Sequence, residues 1–287
     1  VGGWYDIFLG GTISNYSGMI ERGATDVARQ GQKLIIGPWQ HGSRGGSMAG
    51  DHYFGISADA MALGLDYIHL RWYDYWLKGI DNGIMDEPPL KIFVMGRNEW
   101  RTENEWPLAR SQPTTYYFHR NGSLHTELPD EDSSPLKYIY DPHRPVPTLG
   151  GNHCGIMDLP SYEAKLDPLW RRYLEPVPRL QNIVALGPMH QTESPDVFGA
   201  QAPYPLLANR DDVLVFQTAP LAETIEVTGI AVVTLWISSS ATDTDFNAKI
   251  NEATRQGRHW VIVQEYLDAA HLGDKRILLL DGQPLGA

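Results

Sequence analysis

Cysteine is almost missing from this chain. A single Cys154 among 287 residues rules out an internal disulfide and any zinc or iron–sulfur site built from several thiols. One thiol also leans toward a reducing interior, hence a cytoplasmic setting. Long apolar runs are absent as well. No stretch approaches the about 18 residues of a membrane span, and no basic, apolar leader opens the chain, so no membrane partner is expected. Positive charge is scarce: 23 Lys and Arg stand against 35 Asp and Glu, for a net charge of −12. Such a surface repels phosphate backbones, so no nucleic acid is expected among the partners.

What is present describes a globular protein. Hydrophobic residues make up 42% and charged residues 20%, a mixture that supports a core and argues against disorder. At roughly 150 residues per domain, the length allows one large domain or two ordinary ones. With 28 Gly, 20 Pro, 9 Trp and 14 Tyr, the chain reads as turn-rich, with many strands and large aromatic packing residues. It opens on Val1 rather than Met, which reads as a chain processed or cut from something longer.

The first hundred residues alternate strand and helix. Val1-Gly2-Gly3 reads as a strand tail entering a loop. A loose helical pattern follows over 12–29, with Ile13, Ile20 and Val27 on one side. Lys33-Leu34-Ile35-Ile36, closed by Gly37-Pro38, suits a buried parallel strand covered on both faces. The strongest helix runs from a Ser57 N-cap to a Gly79 stop, with Met61, Leu65, Ile68, Trp72 and Trp76 as one apolar stripe. Lys91 to Met95 is a further strand. After Pro107 the texture changes to short β runs at 115–118, 138–140, 213–218, 225–227, 231–238 and 259–263, as in a sandwich or jelly roll. Residues 150–209 read as a Pro-rich excursion from it.

Two short segments carry the chemistry. Gly2-Gly3-Trp4-Tyr5-Asp6 follows one strand, and Gly37-Pro38-Trp39-Gln40-His41 follows the next. In open α/β sheets working residues sit in loops beyond the carboxyl ends of strands. An Asp and a His on neighbouring parallel strands can therefore meet on one edge, with room for one crossover helix between them. A carboxylate followed by a histidine is the later part of the α/β-hydrolase order Ser…Asp…His. From spacing alone, a structural histidine explains His41 better than a catalytic one, because ten histidines offer many such pairs.

These segments resemble the acid and histidine segments of the cocaine esterase / X-Pro dipeptidyl-peptidase family of serine hydrolases. Further segments match in the same order: Phe93-Val94-Met95-Gly96 with Glu99-Trp100-Arg101, Tyr140-Asp141-Pro142 with Pro147 to Gly151, Arg210 to Leu214, Glu226 to Gly229, and Ser238 to Phe246. The resemblance implies an α/β plus all-β protein: the C-terminal portion of an α/β-hydrolase domain over 1–108, followed by a jelly-roll β-sandwich over 109–287, whole or incomplete. It implies ester or amide hydrolysis of a small molecule through an acyl-serine, with Asp6 as the triad acid, His41 as the triad base and Phe8 lining the acyl pocket. The other reading of Phe8 is an ordinary core aromatic. Ile7-Phe8-Leu9 is apolar where a related branch carries carboxylates for a substrate ammonium, which favours an uncharged acyl group. Esters, X-Pro peptides and acylated amines are not separated.

The nucleophile is the departure. The family places its serine in a glycine-flanked elbow well upstream of the acid. Here Gly45-Gly46-Ser47-Met48-Ala49 comes nearest, but Ser47 follows the histidine and no strand leads into it. Loss of a triad serine costs on the order of 10⁶ in kcat, so this chain alone is expected to be inactive, the serine lying in a missing upstream segment. A non-catalytic jelly-roll binding module, or a decayed hydrolase, is the alternative. Residues 251–287 look unlike the family's usual ending. No cofactor and no metal site are expected: the other histidines are scattered, Cys154 lacks an oriented partner, Asp243 and Asp245 read as turn or capping residues, and Asp130-Glu131-Asp132 as a solvated turn.

Overall fold

A computed structural model describes residues 1–41, 45–130, 134–152, 186–197, 199–242, 244, 246–255 and 258–266. The chain divides into two compact units, Val1–Ala109 with Thr148–His190, and Arg110–Pro147 with Gln191–Ala287. Within the first unit the Pro188 carbonyl accepts from the Asp51 N–H at 2.9 Å, and Gly151 and Gly187 exchange N–H···O contacts of 2.8 and 2.9 Å.

The first unit is built on a four-stranded sheet. Its strands are β1 (Gly2–Tyr5), β2 (Leu34–Gln40), β5 (Leu90–Val94) and β6 (Glu99–Glu103), in that spatial order. The first three are parallel and β6 returns antiparallel to β5. Side chains alternate across β2 and β5, so each strand feeds two cores. Leu34, Ile36, Leu90 and Ile92 face helix α1 (Leu9–Arg22) and bury Tyr16, whose phenol is pushed up to about 12 by burial. On the other face Ile35 and Trp39 pack on Ala60, Leu63, Leu65 and Ile68, while Phe93 packs on Ala49, Phe54 and Ala58. Helices on both faces explain why β2 is buried from Leu34 to Trp39.

Several elements differ from their sequence reading. The strand at 33–36 runs on through Gly37 and Pro38 to Gln40. The β1–β2 register shifts between Gly3 and Tyr5, and Pro38, with no N–H to donate, falls inside that shift. The helix expected over 12–29 is two helices, α1 and α2 (Asp26–Gln30), because Thr25 caps the second by accepting from the Ala28 N–H. The long helix from Ser57 is a 3₁₀ turn (Ile56–Ala58), α3 (Ala60–Leu63) and α4 (Leu65–Lys78). Gly64 adopts φ +72° between the last two, and Asp59 rather than Ser57 is the N-cap, accepting from the Met61 N–H. The break takes Met61 out of the stripe: it is 87% exposed while Leu65 and Ile68 pack inward. Gly79 ends α4 in the left-handed region as the sequence suggests. Two short strands, β3 (Met48–Ala49) and β4 (His52–Tyr53), pair as a hairpin.

In the second unit β7 (Tyr117–Phe118) and β8 (Leu124–His125) form a hairpin, and β9 (Val213–Gln217), β10 (Asn247–Arg255) and β11 (Arg258–Tyr266) form an antiparallel sheet in the order β10-β11-β9. Leu124 and Phe216 centre its small core. The runs at 138–140, 225–227 and 231–238 are not strands. Ile139, Val227 and Trp236 in these runs face solvent while Val233 is buried, and a β-rich run becomes a strand only when a neighbour completes its ladder. Beneath β9, buried Arg210 donates to both Asp212 carboxylate oxygens at 2.7 Å, to Glu193 Oε1 at 2.8 Å and to the Arg144 carbonyl at 2.7 Å. The bonds to Asp212 hold the guanidinium's pKa above its ordinary value. No helix among the described residues is long and apolar enough to cross a membrane.

Candidate active site

Asp6 and His41 stand one residue beyond the carboxyl ends of β1 and β2. The strands are adjacent and parallel, so both residues leave the sheet on the same edge. His41 Nδ1 lies 3.3 Å from Asp6 Oδ1 and 3.4 Å from Oδ2. Their side chains are 36% and 21% exposed, so a reactant could reach the pair.

Local structure sets each partner. Asp6 closes a turn: its N–H donates to the Gly3 carbonyl at 3.1 Å, and its own carbonyl accepts from Leu9 at 3.0 Å. The Phe8 N–H then donates to Asp6 Oδ1 at 2.8 Å and orients the carboxylate. Trp4, two residues before it, anchors the strand by donating its indole N–H to the Phe93 carbonyl at 2.8 Å. On the histidine side Trp39 is buried, and its indole N–H donates to the Ala58 carbonyl at 2.7 Å. Gly3 lets the two strands close up: a Cβ there would sit 2.1 Å from the Trp39 carbonyl oxygen. Sequence reasoning names Asp6 and His41 but not Gly3 or Trp39, whose value lies in contacts across 36 residues of chain. The Phe8 ring meets the His41 ring edge-on, with centroids 5.0 Å apart and planes at 80°. It is 59% exposed.

The other candidates lie elsewhere. The Ser47 carbonyl accepts from the Phe54 N–H at 2.9 Å at the base of the β3–β4 hairpin. His119 and His125 meet edge-on at the β7–β8 hairpin, with centroids 5.2 Å apart. Among the described residues no cluster of three or more His, Cys, Asp or Glu could hold a metal ion. Cys154, His153, Asp243 and Asp245 fall outside the described residues.

Residues 82–278 match the family described as the X-Pro dipeptidyl-peptidase C-terminal non-catalytic domain. The match begins after α4, so Asp6 and His41 precede it. The chain is similar to the cocaine esterase of Rhodococcus sp., 30% identical over 265 residues, covering 89% of this chain and 38% of that enzyme. It thus spans little more than a third of this curated relative's length. A stretch of 47 residues, 16% of the chain, is 53% identical to part of the glutathione synthetase of Nostoc sp., of which it covers 14%. In fold, the chain is similar to the crystal structure of an aminopeptidase from a marine sediment archaeon, Thaumarchaeota archaeon. The TM-score is 0.61 at 20% identity, covering 93% of this chain and 46% of that one.

Proposed function

Because this chain belongs to the family of the X-Pro dipeptidyl-peptidase C-terminal non-catalytic domain, we propose that it is the acid-and-base portion of a serine hydrolase together with that family's β domain. One observation carries the reading: an aspartate and a histidine from adjacent parallel strands face each other at 3.3 Å on the sheet edge where such chemistry is placed. The similarity to a cocaine esterase supports the reaction class. In this reading Asp6 holds the imidazole with its proton on Nδ1 and stabilises the imidazolium that forms, leaving Nε2 free. A serine from a segment outside this chain attacks the acyl carbonyl while Nε2 takes its proton. The imidazolium then gives that proton to the leaving alcohol or amine, and water releases the acyl group by the same steps in reverse roles. Phe8 lines the acyl pocket beside His41. β1 is an outermost strand, and a groove of about 550 Å³ bordered by Val1, Phe8, Thr12 and Tyr16 is where a serine-bearing strand and its helix would pack.

The same proposal divides the chain into a hydrolase portion over 1–108 and a jelly-roll sandwich over 109–287, acting on a small ester or amide in a cytoplasmic setting. A second reading has its own support: the matched family is described as non-catalytic, and it covers most of the chain. The β-rich part would then serve as a binding module.

The test uses an aryl ester. The chain by itself should hydrolyse it no faster than buffer. The longer protein read from the same frame should hydrolyse it, and Asp6→Asn should lower kcat by about 10⁴ through loss of the correct tautomer. Hydrolysis by this chain alone that His41→Ala abolishes would overturn the assignment of the serine to another segment. Hydrolysis by the longer protein that His41→Ala leaves intact would remove the hydrolase reading.

A further inference from the structure

We propose that Phe8 is a positioning residue that holds both members of the Asp6–His41 pair, its backbone N–H fixing the carboxylate and its ring fixing the plane of the imidazole. The proposal rests on the acid–base reading above and deepens it. The oxygen that accepts from the Phe8 N–H, Asp6 Oδ1 at 2.8 Å, is the same one that stands 3.3 Å from His41 Nδ1. The phenyl edge approaches the imidazole from another side, at 5.0 Å between centroids and 80° between planes. One residue therefore touches both ends of the pair.

The pair needs such a constraint. Contacts of 3.3 and 3.4 Å to two oxygens are long for a hydrogen bond and share one donor. The His41 side chain is 36% exposed, so burial does not restrict the ring's rotation about its Cβ–Cγ bond. An imidazole turned by a quarter circle about that bond would point Nδ1 away from the carboxylate. The phenyl opposes that turn, since edge-on aromatic pairs have a preferred geometry and a specific stabilisation. The backbone that carries it is rigid: Phe8 is the N-cap residue of α1, and its carbonyl accepts from the Thr12 N–H at 2.7 Å.

Lining an acyl pocket and positioning the base are separable roles, because the second operates without substrate. The test is the ratio of Nδ1–H to Nε2–H tautomer of His41 in this chain, read from imidazole ¹⁵N shifts at alkaline pH. Phe8→Leu keeps the backbone N–H and much of the apolar bulk and removes the aromatic edge. It should lower the ratio by about two- to tenfold, the worth of an edge-on pair, and Phe8→Tyr should restore it. If the backbone amide spectrum shows that Phe8→Leu has unfolded, Phe8→Met carries the same comparison. An unchanged ratio in the folded leucine or methionine variant overturns the positioning role and leaves the hydrolase reading standing. Failure of the longer protein to hydrolyse any ester removes the hydrolase reading and does not move the ratio.

Discussion

Replacement of Gly3 by alanine tests how the fold creates the site. A Cβ at this position would lie 2.1 Å from the Trp39 carbonyl oxygen, 2.7 Å from its carbonyl carbon and 3.1 Å from its Cβ. Ordinary van der Waals contact begins near 3.4 Å, so the added atom is about 1.3 Å too close to backbone that cannot rotate aside. β1 must move away from β2 by about that much. Overpacking of this kind costs about 1–3 kcal/mol, which lowers the melting temperature by about 2–12 °C for a unit of this size. The same displacement carries the 3.3 Å separation of His41 Nδ1 and Asp6 Oδ1 beyond hydrogen-bond range. The two effects should appear together: a lower transition followed by near-ultraviolet circular dichroism, and loss of the dominant Nδ1–H tautomer in the ¹⁵N spectrum. Gly10→Ala is the control, since nothing lies within 4 Å of a Cβ at that position in α1. It should stabilise the helix by about 0.5–1 kcal/mol and leave the tautomer unchanged. If Gly3→Ala melts with the parent chain and keeps its tautomer, the strand approach does not set the pair and the reasoning is wrong.

Arg210→Met should destabilise the β-rich unit by about 3–5 kcal/mol, because it leaves the buried Glu193 and Asp212 carboxylates without their cation. Urea unfolding measures this, and adding Glu193→Gln and Asp212→Asn should recover more than half of the loss. Lys249 lies in β10 with its amine pushed down to about 8 by burial, from an ordinary 10.5. Between those values the unfolded chain binds more protons than the folded one, so stability rises with pH across the window, by up to about 1.4 kcal/mol per pH unit. Lys249→Met should remove that rise, and urea titrations at about pH 8, 9 and 10 that give equal slopes for both chains would refute it.

Residue order by itself determined the pieces that are local in character. Alternation of strand and helix, the buried run at Leu34–Ile36, the αL stop at Gly79 and the Asp6 and His41 loops each follow from neighbours in sequence. The family was legible for the same reason, since ordered short segments survive as letters. Tertiary structure alone decided which β-prone runs found ladder partners and became strands. It also split the helical stripe at Gly64, gathered Glu193, Asp212 and the Arg144 carbonyl around Arg210, and turned Phe8 onto His41. Those outcomes depend on atoms that are distant along the chain and near in space. Hydrophobic periodicity records which side of an element is apolar, not what it meets, so a close approach such as Gly3 against the Trp39 carbonyl has no trace in either segment until the two strands lie side by side.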